Sequence, residues 1–238
     1  MGNHSTDKEF HAGGGAVSLV STCTSASLMF VADRFSGNTA NGKDGSGTSG
    51  GGALRVEPNS TGSPTVTLIN DVFQANTSQG NGGAIAVFGT SPGSVALFSR
   101  NSTFFKTNHA KFNGGGVWMG GTASADLVND IIWAGTVGKG GVGKDLDTDG
   151  TPTVTLNHTD IGNIGAGTTT VDAGGNLSVN PTFSKTSFTL KTGSPMIDSG
   201  LCTAPSGPPV PTDDFFHHPR PDLAGPDPTK CDRGAAEF

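Results

Sequence analysis

Two short signals alternate along this chain, and their spacing limits what it can fold into. The first is a glycine turn leading into an apolar strand: Gly13-Gly14-Gly15-Ala16-Val17, Gly50-Gly51-Gly52-Ala53-Leu54, Gly82-Gly83-Ala84-Ile85 and Gly114-Gly115-Gly116-Val117. The second is Phe-x-x-Asn, at Phe35 to Asn38, Phe73 to Asn76 and Phe105 to Asn108. From Gly51 to Gly82 to Gly114 the step is 31 and then 32 residues. A fixed period of this size belongs to stacked structural units.

Each unit reads as two or three short strands, such as Ala84–Phe88, Ser94–Phe98 and Ser102–Phe105 in the third. No segment carries a sustained 3.6-residue apolar period, so the chain is expected to be nearly free of helix. Three strands per turn of about 32 residues fit one coil of a parallel β-helix. The expected architecture is all-β: a single-stranded right-handed parallel β-helix (solenoid) of about six coils with a C-terminal capping tail. A propeller is the rival, but its blades run to about 40 residues or more. In the β-helix, Phe35, Phe73, Phe105 and Trp133 form one aromatic ladder and Asn38, Asn76 and Asn108 line one turn. Glycines at the other turn permit positive φ. Two Gly-rich loops, residues 41–50 and 135–143, interrupt the period.

Composition narrows the function. Only 14% of residues are charged, and the net charge is -6, which offers no basic patch for nucleic acid. Apolar runs are strand-sized, far below the ~20 residues of a transmembrane helix. Met1-Gly2-Asn3-His4-Ser5-Thr6 formally fits an N-myristoylation pattern. With no signal peptide, the chain reads instead as a mature protein or a fragment of one. A monomer is expected.

Residues 1–200 are read as the repeats and 201–238 as a proline-rich capping tail of the same domain, shielding an open sheet edge. Of three cysteines, Cys202 and Cys231 flank this tail and are the expected disulfide, leaving Cys23 free. The alternative is three reduced thiols.

The Gly-Gly-Ala and Phe-x-x-Asn pairs resemble the repeats of chlamydial polymorphic outer membrane proteins. The tail resembles that of bacterial secreted choice-of-anchor Q domain proteins, through Asn180-Pro181-Thr182-Phe183, Phe188 to Gly200, Pro219-Arg220-Pro221 and Cys231 to Glu237. Arg233 and Ala236 depart from that pattern, which has Ile and an aromatic residue there. The resemblance covers most of the chain and implies a pectin-lyase-like β-helix, a similar cysteine pair, export, and a place at a bacterial cell surface. It implies no one reaction, because the fold hosts lyases, hydrolases, adhesins and structural spikes.

Asp145-Leu146-Asp147-Thr148-Asp149-Gly150 is the most chemical-looking stretch. Alternating carboxylates before a glycine begin calcium loops. The twelfth position would be Leu156, which cannot ligate, so the reading is a half-loop in which Asp145, Asp147 and Asp149 hold Ca²⁺, or a plain solvated turn. Asp213, Asp214, His217, His218 and Asp222 bring metal-ligating types together, but adjacent histidines diverge in an extended chain and Pro219 keeps His218 extended. An exposed loop braced by Arg220 against Asp198 or Asp232 is the simpler reading. Six N-glycosylation patterns occur, at Asn3, Asn59, Asn76, Asn101, Asn157 and Asn176, without implying glycosylation. Thr65-Val66-Thr67 and Thr153-Val154-Thr155 are too far apart for a continuous ice-binding array.

Asp33, Asp71 and Asp130 recur at one repeat position, which argues for structure over catalysis. The middle repeats are poor in Lys, Arg and Glu. The chain has no Tyr, Trp133 reads as internal, and Trp118 is a candidate for the surface. No catalytic residue can be named and no cofactor is expected beyond calcium. The expected function is a non-catalytic extracellular or cell-surface module for adhesion, display or surface structure, whose partner is a polysaccharide or a host or cell-surface ligand. The alternative is a polysaccharide lyase or glycoside hydrolase acting on an extracellular polysaccharide.

Overall fold

The computed structural model describes residues 14–21, 23, 25–42, 50–185, 187–222 and 226–238, and the backbone of a strand at His4–Ser5. Gly13 of the first glycine signal, Asn3, most of the N-terminal hexapeptide and residues 43–49 of the first loop lie outside the described residues.

The described residues form an all-β parallel β-helix without α-helix, and among them no helix is long and apolar enough to cross a membrane. Four parallel sheets run the length of the coils. Sheet I stacks Val17–Ser21, Leu54–Pro58, Ile85–Gly89, Val117–Gly121 and Leu146–Gly150. Sheet II stacks Ser27–Val31, Thr65–Ile69, Ala96–Arg100, Ser124–Val128, Thr153–Asn157 and Thr170–Asp172. Sheet III stacks Arg34–Ser36, Val72–Gln74, Thr103–Phe105, Ile131–Ile132 and Asp160–Ile161. Sheet IV holds two-residue strands such as Thr39–Ala40, Thr77–Ser78 and His109–Ala110, too short to register as strands in the sequence. Five coils are complete, and a shortened sixth bridges back through Ile164 to Leu146 and through Leu177 to Asp160.

Glycines set the corner before sheet I. Gly51, Gly82 and Gly114 have φ of 73°, 63° and 64°. A Cβ on Gly82 would stand 2.1 Å from the carbonyl oxygen of Ile85, so only glycine fits that turn. Inside the tube, identical registers stack side chains at the strand spacing of about 4.8 Å. Phe35 and Phe73 stack at 4.7 Å and Phe73 and Phe104 at 4.6 Å, nearly parallel.

The aromatic ladder is therefore Phe35, Phe73, Phe104, Ile132 and Ile161, one residue before the positions expected in its later coils. Counting back from Asn108 selects Phe105, but the third coil carries one extra residue between ladder and asparagine. Lys106 and Thr107 both have positive φ where the second coil needs only Ala75. Phe105 and Trp133 lie outside the tube and pack against the tail. Trp118, in turn, is buried on the outer face of sheet I, stacked on Phe88 at 5.9 Å. Gly120 makes room for it, since a Cβ there would lie 2.4 Å from the indole.

The asparagine ladder forms as expected. Asn76 donates from Nδ2 to the carbonyl of Phe35 and to Oδ1 of Asn108, and its own Oδ1 accepts the backbone N–H and the Nδ2 of Asn38.

The tail runs along a flank of the coils. Phe183, Phe188, Phe215, Ala235 and Ala236 cover Val72 and Phe105, while Leu190 and Met196 cover Ile131. Cys202 and Cys231 are bridged, with Cα atoms 5.3 Å apart, and Cys23 is free and exposed.

Candidate functional site

The dipeptide Asn-Asp at the corner between sheets II and III illustrates how polar side chains are used here. Asn70, Asn101, Asn129 and His158 occupy the left-handed region at this corner, which asparagine tolerates better than most residues. The asparagines reach outward to the tail: Asn70 donates to the carbonyl of Asp213, Asn101 to that of Asp232, and Asn129 to that of Leu201. The next residues, Asp71 and Asp130, point back into the wall. Asp71 accepts the backbone N–H groups of Asp33 and Ile69. Asp130 accepts the N–H of Ser102 and the hydroxyl of Ser99. Burial pushes Asp71 up to about 8 and Asp130 up to about 7, against these bonds, which favour the ionised form. Perturbed carboxylates of this kind attract attention as catalytic groups. Both are fully buried, so neither can meet a substrate.

The three aspartates of the expected calcium half-loop do not form a turn. Leu146–Gly150 is a strand of sheet I, paired residue for residue with Val117–Gly121. Asp145 holds the register position of Ala53 and Ala84, which line the core, and its Oδ1 accepts the N–H of Gly135. Its burial raises the carboxyl to about 6. Asp147 stands on the strand beside Thr168, and Asp149 is exposed. The strand thus spaces these groups out instead of gathering them. Among the described residues no three His, Cys, Asp or Glu side chains are arranged to hold a metal ion.

The histidine-rich loop is a braced turn. His217 faces Asp213 at 3.2 Å and His218 faces Asp214 at 3.4 Å, so the two rings serve different carboxylates. Asp214 is buried and accepts the N–H groups of Phe216, His218 and Glu237. Arg220 does brace the tail, but its carboxylate is Glu237, not Asp198 or Asp232. It also donates to the carbonyls of Asp232 and Gly234 and to Oδ1 of Asn70. Asp232 instead accepts the N–H groups of Asp198 and Phe238. Arg233 is buried and donates to the carbonyls of Ser199 and Gly175. Of the glycosylation patterns, Asn76 and Asn101 are buried with their amides bonded.

On the outer face of sheet II the sequence pointed only to the separate pairs Thr65 with Thr67 and Thr153 with Thr155. There the register aligns Phe98, Asp126 and Thr155 in one row, and Ala96, Ser124 and Thr153 in the next. Phe98, Ser124, Asp126, Thr153 and Thr155 of these rows, with Ser206 from the tail, border a shallow pocket of about 280 Å³. Arg100 lies buried beneath its rim, paired with Asp126 at 2.7 Å. The signal was present as alternation, since Phe98 and Arg100 share the outward parity of their strand, but Asp126 joins them only through the coil register.

Comparison with protein-family models, curated proteins and solved structures gave no match.

Proposed function

We propose that this chain is a non-catalytic extracellular or cell-surface module for adhesion, display or surface structure. The reading is carried by one observation: the carboxylates that burial most perturbs, Asp71, Asp130 and Asp145, are bonded into the wall and closed to a substrate. A polysaccharide lyase or hydrolase needs acid and base groups converging in an open groove. The open pocket on sheet II has one carboxylate, Asp126, and one guanidinium beside it, Arg100. The Arg100 side chain donates to the carbonyls of Pro208, Ser206, Ser99 and Asp126 and to the Asp126 carboxylate, leaving no donor for a substrate. The disulfide is compatible with an oxidising, extracellular setting.

The test is turnover. The purified protein is incubated with a panel of acidic and neutral polysaccharides, with and without Ca²⁺, and new reducing ends and unsaturated products are measured. No turnover is expected. Clear turnover that is lost in Asp126→Asn would replace this reading with a carbohydrate-active enzyme.

A further inference from the structure

The pocket on sheet II leaves several polar side-chain atoms unbonded by the described residues. The Asp126 carboxylate is part-exposed, and its Oδ2 takes Arg100 and, at 3.5 Å, the Ser206 hydroxyl. Its Oδ1 and the hydroxyls of Ser124, Thr153 and Thr155 have no protein partner among the described residues. These groups stand on adjacent coils, about 4.8 Å apart along the axis. Beside them the half-buried Phe98 ring offers an apolar surface, with Gly207 against its edge and the Arg100 guanidinium 5.8 Å from its centroid.

We propose that this pocket binds a sugar ring of a neutral glycan. Carboxylate and hydroxyl oxygens accept hydrogen bonds from sugar hydroxyls, the Ser and Thr hydroxyls also donate, and an aromatic face packs on the C–H face of a pyranose. The same geometry disfavours acidic glycans. The one cation at the rim is internally neutralised, the free oxygen is anionic, and the chain carries a net charge of -6. The inference rests on the surface-module reading and names what such a module would grip.

The experiment is saturation-transfer NMR with calorimetric titration, using cellohexaose, mannohexaose and chitohexaose as neutral probes and oligogalacturonate as the acidic one. At least one neutral probe is expected to bind with a dissociation constant near about 1 mM, as suits a shallow site. Asp126→Asn should weaken binding about tenfold, and Ser124→Ala with Thr155→Val about fivefold. The Ser124 and Thr155 changes touch no internal bond, so they report even if Asp126→Asn fails to fold. The proposal is overturned if no neutral probe binds at about 10 mM, if these variants leave binding unchanged, or if oligogalacturonate binds more tightly. The surface-module reading fails on a different result, polysaccharide turnover.

Discussion

A single asparagine in this wall does work that no apolar residue could take over. Asn76 satisfies the N–H and amide of Asn38, the carbonyl of Phe35 and the amide oxygen of Asn108, all of them buried. Asn76→Ala strands several of these at about 1–3 kcal/mol each. Urea denaturation should therefore show a loss of about 3–5 kcal/mol, whereas an exposed change such as Thr153→Ala should stay within about 0.5 kcal/mol. Asp71 makes the second residue-scale prediction. Its folded value of about 8 lies above the ordinary 3.8, so the native state holds the proton more tightly than the unfolded chain. The stability this contributes is fully present below pH 3.8 and is lost as pH rises through about 8; Asp130 acts in the same sense up to about 7. Melting temperature should fall between pH 5 and pH 8, and Asp71→Asn should flatten that slope. A melting temperature that instead rose over this range would show that the backbone N–H bonds keep Asp71 ionised. The recurrence of Asn-Asp was legible in the sequence, and so was its structural meaning. What could not be read was the split of labour, Asn outward to the tail and Asp inward, because that depends on which residue takes the left-handed backbone.

At the scale of elements, the tail acts as a strap. It buries Val72, Phe105 and Ile131, which would otherwise face water on the outside of sheet III. Its anchors are the corner asparagines, Arg220 with Glu237, and the Cys202–Cys231 bridge. The bridge spans 29 residues, for which chain entropy gives about 3–4 kcal/mol. Cys202→Ser with Cys231→Ser should lower stability by up to that amount and raise binding of a hydrophobic dye as Phe105 and Ile131 become exposed. Unchanged dye binding would mean that the polar anchors hold the strap alone. Peptide mapping of the native protein should find Cys23 alkylated and the other two protected. The sequence marked the tail by its prolines and cysteines but not its seat. An open end needs covering in any solenoid, so the end was the natural expectation. The flank needs covering because Val72, Phe105, Ile131 and Trp133 face outward there; Phe105 does so through the one extra residue in the third coil, and Trp133 because Ile132 takes the ladder position in the fourth.

For the whole molecule, the period was enough to give the solenoid, because stacking forces every coil to repeat the same corners. It was not enough to give the site. A site on a solenoid is assembled across coils, and Phe98, Asp126 and Thr155 become neighbours only when the register between coils is known. The converse case is Asp145, Asp147 and Asp149, where proximity in sequence suggested a loop or turn and the register makes Leu146–Gly150 a strand. The fifth coil is held to the fourth by this strand pairing, by the neighbouring pairs of sheets II and III, and by the bond from Gly135 to Asp145. None of these contacts requires a cation. An ion bound only to the native state at a hundredfold excess over its dissociation constant would add about 2.7 kcal/mol and raise the melting temperature by several degrees. With Asp145 turned to the core and Asp147 beside Thr168, melting curves in EDTA and in excess Ca²⁺ should instead coincide, and Asp147→Ala should not alter their agreement. A calcium-dependent rise that Asp147→Ala abolished would mean that these carboxylates gather around the ion after all, at the cost of the pairing between Leu146–Gly150 and the coil before it.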